Sequence, residues 1–174
     1  MYSGTFMIQP LVVTMLIMQQ PDSLNQVAEF HRTFHAPILE TPQIPSEARS
    51  QLRVSLLAEE LDELRDAISE GDIVAVADAL CDLQYVLSGA VLEFGLGGKF
   101  NELFNEVQRS NMSKACLTVA EAEATVAQYQ AKGVPCHFIE SDGKFLVYRD
   151  ADRKTLKSVN YSPADLEGIL LPAL

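Results

Sequence analysis

Tryptophan is absent from this 174-residue chain, and cysteine and histidine occur only three times each. Cys81, Cys116 and Cys136 are an odd set without CxxC spacing, which excludes a disulfide framework and a zinc knuckle. Such usage fits a reducing, cytoplasmic setting, and Cys81, inside an apolar helical run, is expected to be a small buried hydrophobe. His31 and His35 stand at i, i+4, but no third ligand and no HExxH or ExxH pattern accompanies them, so a packing role is expected. Positive charge is scarce: 13 Lys+Arg against 24 Asp+Glu give a net charge of −11. That balance excludes a nucleic-acid polymer held by its phosphates and docking on an anionic membrane. A 48% hydrophobic and 21% charged composition excludes disorder for most of the chain.

The apolar N-terminus lacks a basic leader region and is interrupted at Gln9 and Pro10. Residues 1–21 therefore read as an extended tail, or as sequence upstream of a start at Met15 or Met18, and not as a signal peptide. No other segment is expected to approach transmembrane length.

Helical periodicity organises most of the remaining chain. Ser23 offers an N-cap for a first helix through Phe34, and Pro37, Pro42 and Pro45 mark an extended connection. Pro45-Ser46-Glu47 opens a second helix with Leu52, Leu56, Leu57, Leu61, Leu64 and Ile68 on one stripe. After a break at Ser69–Asp72, a third helix from about Ile73 to Phe94 is apolar nearly all round, which implies burial on several sides and against another subunit. Gly95 stops it, and a fourth helix runs from about Lys99 to Ser110. Thr118 and Glu121 form a capping box for a further helix ending at Gly133. Asp142-Gly143 between two strand-like runs, Cys136–Glu140 and Lys144–Arg149, predicts a hairpin. The expectation is an all-α core of four to five helices over residues 22–116, oligomeric, with residues 117–174 as a helix, β-hairpin and basic tail or lid.

Carboxylates carry the chemistry. Glu59, Glu60 and Glu63 share a face of the second helix, and Asp78 and Asp82 stand at i, i+4 on the third. The midpoint of 63 and 78 is 70.5, and so is that of 59 and 82. If the helices fold back about this break, the acids meet at matched depth. Such a cluster repels itself, and a hard divalent cation relieves the repulsion. An all-carboxylate set without histidine or cysteine suits Mg²⁺ or Mn²⁺, ions that keep positions for water and phosphate oxygens. Arg109, Asn111 and Lys114 place donors at the end of the fourth helix, where ordinary complementation of the helix dipole is the alternative. Arg153, Lys154 and Lys157 form a basic cluster that becomes a phosphate-facing lid only if the tail folds over the acids. Gly97-Gly98-Lys99 lacks the earlier Gly and the following Ser or Thr of a P-loop.

Leu57-Ala-Glu-Glu-Leu-Asp-Glu63 resembles the EExxE motif of the MazG-like, all-α nucleoside triphosphate pyrophosphohydrolases, a group that takes in dimeric dUTPases and phosphoribosyl-ATP pyrophosphohydrolases. The run from Asp78 to Gly89 resembles that group's metal-binding third helix, and Phe104–Lys114 with Lys154–Lys157 resembles a bacterial branch. The resemblance implies Mg²⁺-dependent cleavage between the α and β phosphates of a nucleoside triphosphate, by a homodimer or homotetramer. It implies Glu60, Glu63 and Asp82 as metal ligands and Glu59 as a further ligand or the catalytic base. The chain departs from the group's ExxD pattern, with Ala79 in the Glu position and Asp78 one residue earlier, a turn of about 100° around the helix. The hairpin symmetry keeps Asp78 among the metal ligands. Arg109, Asn111, Lys114, Lys154 and Lys157 are the expected substrate contacts. Two alternatives are a non-catalytic helical dimer that senses nucleotide or docks a partner, and a hydrolase of phosphoribosyl-ATP type.

Overall fold

A computed structural model describes residues 18–171. The reading of the first 17 residues as a tail lies outside them. The elements are α1 (Ser23–Thr33), α2 (Glu47–Glu70), α3 (Ile73–Glu93), α4 (Phe100–Met112), α5 (Val119–Gln130), β1 (Cys136–Ser141), β2 (Lys144–Arg149) and the short α6 (Leu166–Leu170). The predicted helical core and C-terminal hairpin are both present.

The α2–α3 pair is a helical hairpin, turned in two residues. Gly71 takes a left-handed φ of 71° and closes α2, and the Asp72 carboxylate then caps α3 by accepting from the Val74 and Ala75 amides at 2.8 and 3.2 Å. At the other end of α3, Gly95 has a φ of +69°, and a Cβ there would lie 1.9 Å from the Thr41 carbonyl oxygen. The proline-rich connection therefore runs tight along the end of α3, tied by Leu39 N–H to Leu92 O and Gln43 N–H to Phe94 O.

α1 packs on α3 through Val27, Ala28 and His31, opposite Leu92. The His31 ring is buried with Nδ1 2.8 Å from the Pro37 carbonyl, whereas His35 lies beyond the helix end with a φ of 56°. The two rings thus do not share a helix face, and His31 serves packing. Gly89 faces this seam: a Cβ would stand 2.6 Å from an Arg53 guanidinium nitrogen and 3.1 Å from His31 Nε2. Gly89→Ala is expected to cost about 1–3 kcal/mol by overpacking, read as a lower urea midpoint at unchanged slope.

Two expectations are corrected on α3. Cys81 is exposed, not buried. The helix, 21 residues long, is also long and apolar enough to cross a membrane by length and composition. Cys81 is exposed because α1 and α2 cover only part of α3, which leaves Ile73, Val74, Leu80, Tyr85 and Leu87 exposed as well.

The C-terminal part has its own small core of Cys116, Ala122, Cys136, Val147 and Leu156. Thr118 Oγ1 accepts from the Glu121 amide at 3.2 Å, and the Glu121 carboxylate reaches back to the Leu117 amide at 2.9 Å, one residue before the expected partner. β1 and β2 pair antiparallel from Cys136↔Arg149 to Ser141↔Lys144, and Asp142 and Gly143 both have positive φ, as a tight primed turn requires. The tail then runs back along α5 and α4. Leu156 N–H donates to Val147 O, Lys157 N–H to the Tyr129 hydroxyl, and Val159 N–H to Thr125 Oγ1. α6 had no counterpart in the periodicity, because five residues hold too few turns to show one.

Candidate functional site

The turn at Gly71 and the close packing of α2 on α3 put the matched acids on facing helices. Glu60 is half-buried, and Glu59, Glu63, Asp78 and Asp82 are exposed. Burial first, and then the negative charge of Glu63, Asp82, Glu59 and Asp78, raises the Glu60 carboxyl above the ordinary carboxylate range. All four other acids of the expected cluster therefore act on one side chain. Glu63 and Asp78 also line a single cleft of about 230 Å³ between the helices, together with Asp66 and Glu70.

The donor set fits a hard divalent cation, because the oxygens are all carboxylate and the field at Glu60 lacks a neutralising charge. As the side chains stand, no group of three or more His, Cys, Asp or Glu among the described residues is close enough to hold an ion. Exposed carboxylates on adjacent helix turns can close such gaps by rotamer changes alone.

Helix arithmetic gives the hairpin a second face. At about 100° per residue, Leu61 lies roughly opposite Glu59 and Glu63 on α2, and Leu80 roughly opposite Asp78 and Asp82 on α3. Val54, Leu61 and Ile68 recur every seven residues, as do Ile73, Leu80 and Leu87, and all six are exposed. These pairs too are centred on 70.5: 54 with 87, 61 with 80, and 68 with 73.

An ion cluster at the base of the hairpin was not anticipated from the residues. Glu93 is 1% exposed and pairs with Arg49 and Arg53 of α2; Arg49 Nε donates to Glu93 Oε2 at 2.9 Å. Burial alone would raise the Glu93 carboxyl, but the hydrogen bonds from Arg49 and Arg53 outweigh it and hold the group below its ordinary value. The signal was available: 49 and 93 are centred on 71, so the same mirror that pairs the acids sets Arg49 against Glu93.

The expected basic contacts lie elsewhere in the chain. Every hydrogen bond that the described tail makes beyond itself goes to α4, its caps Lys99 and Ser113, α5 or the hairpin and its entry at Pro135. Among the described residues the tail makes no hydrogen bond to α2 or α3. The Arg109 guanidinium is held by Glu106 and donates to Ser162 Oγ and Pro163 O, at 3.0 and 2.9 Å. The Arg109 hydrogen bond, with the Asp165 amide, pulls Glu106 down to about 2, so this pair anchors the tail to α4. Asn111 Oδ1 accepts from Lys114 Nζ at 2.8 Å. Lys154 and Lys157 are exposed beside Lys114, lining one cleft with it.

A hydrophobic cleft of about 430 Å³ between α1 and α3 was also not anticipated. Leu80, Cys81, Gln84 and Tyr85 line it beside Asp82 in sequence, with Gln26 and Val27 opposite. Apolar clefts of this kind have no spacing code in a sequence.

An all-α hairpin with acids facing each other across its turn defines a candidate centre for phosphate chemistry. The family model for phosphoribosyl-ATP pyrophosphohydrolase matches residues 27–111, just under half of the sequence, and that segment is a domain of the MazG-like superfamily. It is thereby a nucleotide pyrophosphohydrolase-type enzyme, a hydrolase of phosphorus-containing anhydrides, in a family generally dependent on divalent metal. No curated protein matches the chain as a relative. The matched segment contains all five acids as well as Arg49, Arg53 and Glu93.

Proposed function

We propose that the chain hydrolyses a nucleoside triphosphate between its α and β phosphates, releasing monophosphate and pyrophosphate. Residues 22–116 are the catalytic core in this reading, and residues 117–174 an appendage. The observation that carries it is the placement of Glu59, Glu60 and Glu63 on α2 and Asp78 and Asp82 on the packed partner helix α3, inside the segment that the family model matches. Glu60, Glu63, Asp78 and Asp82 hold the divalent ion. Bound there, Mg²⁺ or Mn²⁺ supplies positive charge against the phosphate oxygens and acidifies a water. Glu59 orients the attacking water and takes its proton as the water oxygen bonds in line to a phosphorus flanking the α–β bridge. The bridging P–O bond breaks, and its electron pair leaves with the departing phosphate group. Lys114, Lys154 and Lys157 reach phosphate oxygens from another copy in the assembled oligomer, and Asn111 positions Lys114.

Self-association belongs to the same proposal. The exposed row of Val54, Leu61 and Ile68 with Ile73, Leu80 and Leu87 repeats every seven residues, as an interhelical seam does. A homodimer or homotetramer that buries this row leaves the acids on the other face of the hairpin.

The test is a panel of nucleoside triphosphates and phosphoribosyl-ATP, with Mg²⁺ or with chelator, followed for pyrophosphate release. Release that needs the ion and is strongest for one nucleoside triphosphate is expected. Exclusive turnover of phosphoribosyl-ATP would move the substrate to the alternative that the family model's description favours. Calorimetry adds a direct check: Mg²⁺ titrated into the protein should give a saturable heat, and a flat trace would contradict the metal site.

A further inference from the structure

The small sheet of the appendage is covered along one edge and bare along the other. The outer side of β2 is closed: Cys116 and Phe145 exchange both of their backbone hydrogen bonds at 2.9 Å, Leu156 N–H donates to Val147 O at 2.8 Å, and Arg149 N–H donates to Lys154 O at 3.0 Å. Among the described residues, nothing outside the hairpin bonds to the backbone of β1. The alternation of an antiparallel ladder says which of its groups are free, because each residue turns its N–H and C=O to one neighbour only. Phe145 and Val147 turn theirs away from β1, so their register partners Glu140 and Phe138 turn theirs to the bare edge. Cys136, next in the same row, is buried, which confines the open edge to Phe138–Ser141.

Free edges are normally guarded by proline, lysine, a bulge or a covering segment. β1 (Cys-His-Phe-Ile-Glu-Ser) has neither proline nor lysine, and its register runs without a bulge from Cys136 to Ser141. Between the two free residues stands Ile139, 40% exposed, on the face of the sheet opposite Phe138 and Glu140. Its partner across the hairpin is Leu146, half-buried on the same face. An unguarded edge and an exposed isoleucine thus coincide within four residues.

We infer that β1 pairs antiparallel with β1 of a second copy of the chain, about a two-fold axis at Ile139, joining two hairpins into one four-stranded sheet. In this register Phe138 of each copy exchanges both of its backbone bonds with Glu140 of the other. With two donors and two acceptors in each copy, all four donors and all four acceptors are used. The two Ile139 side chains meet at the axis and, with the two Leu146 side chains, form an apolar row across the joined sheet. No like charges face each other, because Glu140 stands opposite Phe138 and His137 opposite Ser141. A slip of two residues, the smallest that keeps the faces aligned, sets Glu140 against the buried Cys136 and wastes its groups. A second copy suits the edge better than an arbitrary peptide, because it brings the same free row and its own α5. That helix packs across both strands, so at about 4.8 Å per strand the two α5 helices lie about 10 Å apart, the spacing of packed helices. Residues 136–141 lie outside the segment that the family model matches, and the pairing rests neither on the proposed hydrolysis nor on the helix row. With the helix row also in use, the two contacts make a dimer of dimers.

Sedimentation velocity of the full chain over a concentration series tests the pairing, with two variants. Ile139→Lys sets two ammonium groups against each other at the axis and leaves the backbone untouched. Glu140→Pro removes an N–H that the hairpin itself does not use and puts a ring in the path of the second strand. Each should halve the mass of the wild-type assembly, or weaken association about tenfold or more. Circular dichroism checks the fold, and if Glu140→Pro disturbs it, Ile139→Lys alone decides. Hydrogen exchange gives a readout of the edge itself: the Phe138 and Glu140 amides should gain protection as wild-type concentration rises, and should not in Ile139→Lys. Masses unchanged in the folded variants, or exchange of these two amides that ignores concentration, would overturn the inference whatever the nucleotide panel shows. Protection that comes only when a foreign strand is added would give the edge to another partner, and would equally overturn pairing with a second copy.

Discussion

Glu60→Gln and Asp82→Asn should each lower turnover by roughly 10²–10³ while the protein stays folded. Glu60 is the acid on which the other four act, and the substitution keeps its shape while removing its charge. In the absence of metal these variants relieve repulsion, so their thermal midpoints should equal or slightly exceed that of wild type. Glu63→Gln is expected to behave alike. Asp78→Asn distinguishes the departure from the family's spacing: Asp78 stands one residue before the family's Glu position, about 100° around the helix, so its loss should cost less than that of Asp82. Undiminished turnover in Glu60→Gln and Asp82→Asn would remove the hairpin acids from the reaction. Loss of turnover with a loss of fold would be read by circular dichroism and would say nothing of metal.

Glu93→Ala should have the largest effect on stability, about 3–5 kcal/mol, because it strands two guanidinium groups that the carboxylate holds. Arg53 bears most of that penalty, with a side chain 10% exposed against 33% for Arg49. At this chain length the thermal midpoint should fall on the order of 10 °C. Arg49→Ala should cost less, since water reaches that guanidinium in part. The pH dependence carries a definite sign. Arg49 and Arg53 hold the Glu93 carboxyl below its unfolded value, so the stabilisation is complete above the ordinary carboxylate range. It is lost as pH falls through the lowered folded value, below about pH 4. Acid unfolding of Glu93→Gln should therefore show a weaker pH dependence over that window. The cluster ties the open ends of α2 and α3, and Gly71 ties the closed end, with the acids held between.

How much of this was legible in the residues depends on the range of the interaction. The helices, their turn at Gly71 and the Asp142-Gly143 hairpin follow from periodicity and turn chemistry that act within a few residues. The matched depth of the acids needed one further step, the fold-back about a known break. The same step, applied to Arg49 and Glu93, would have exposed the buried ion cluster. Cys81 was misplaced because the apolarity of α3 says that the helix wants cover, not that its own chain supplies it. The tail's path was beyond periodicity. It is set by single contacts such as Arg109 with Pro163 and Val159 with Thr125, which join residues far apart in sequence. Those contacts hold Lys154 and Lys157 on the appendage, where a cleft gathers them with Lys114.

Which bond the acid-lined hairpin breaks is decided by its products. Phosphorus NMR of a preferred nucleoside triphosphate turned over with Mg²⁺ reads them directly. Nucleoside monophosphate and pyrophosphate are expected in equal amounts, and neither should form in chelator or with Glu60→Gln. Nucleoside diphosphate with orthophosphate, or the same products at the same rate from Glu60→Gln, would contradict cleavage of the α–β bridge by these acids.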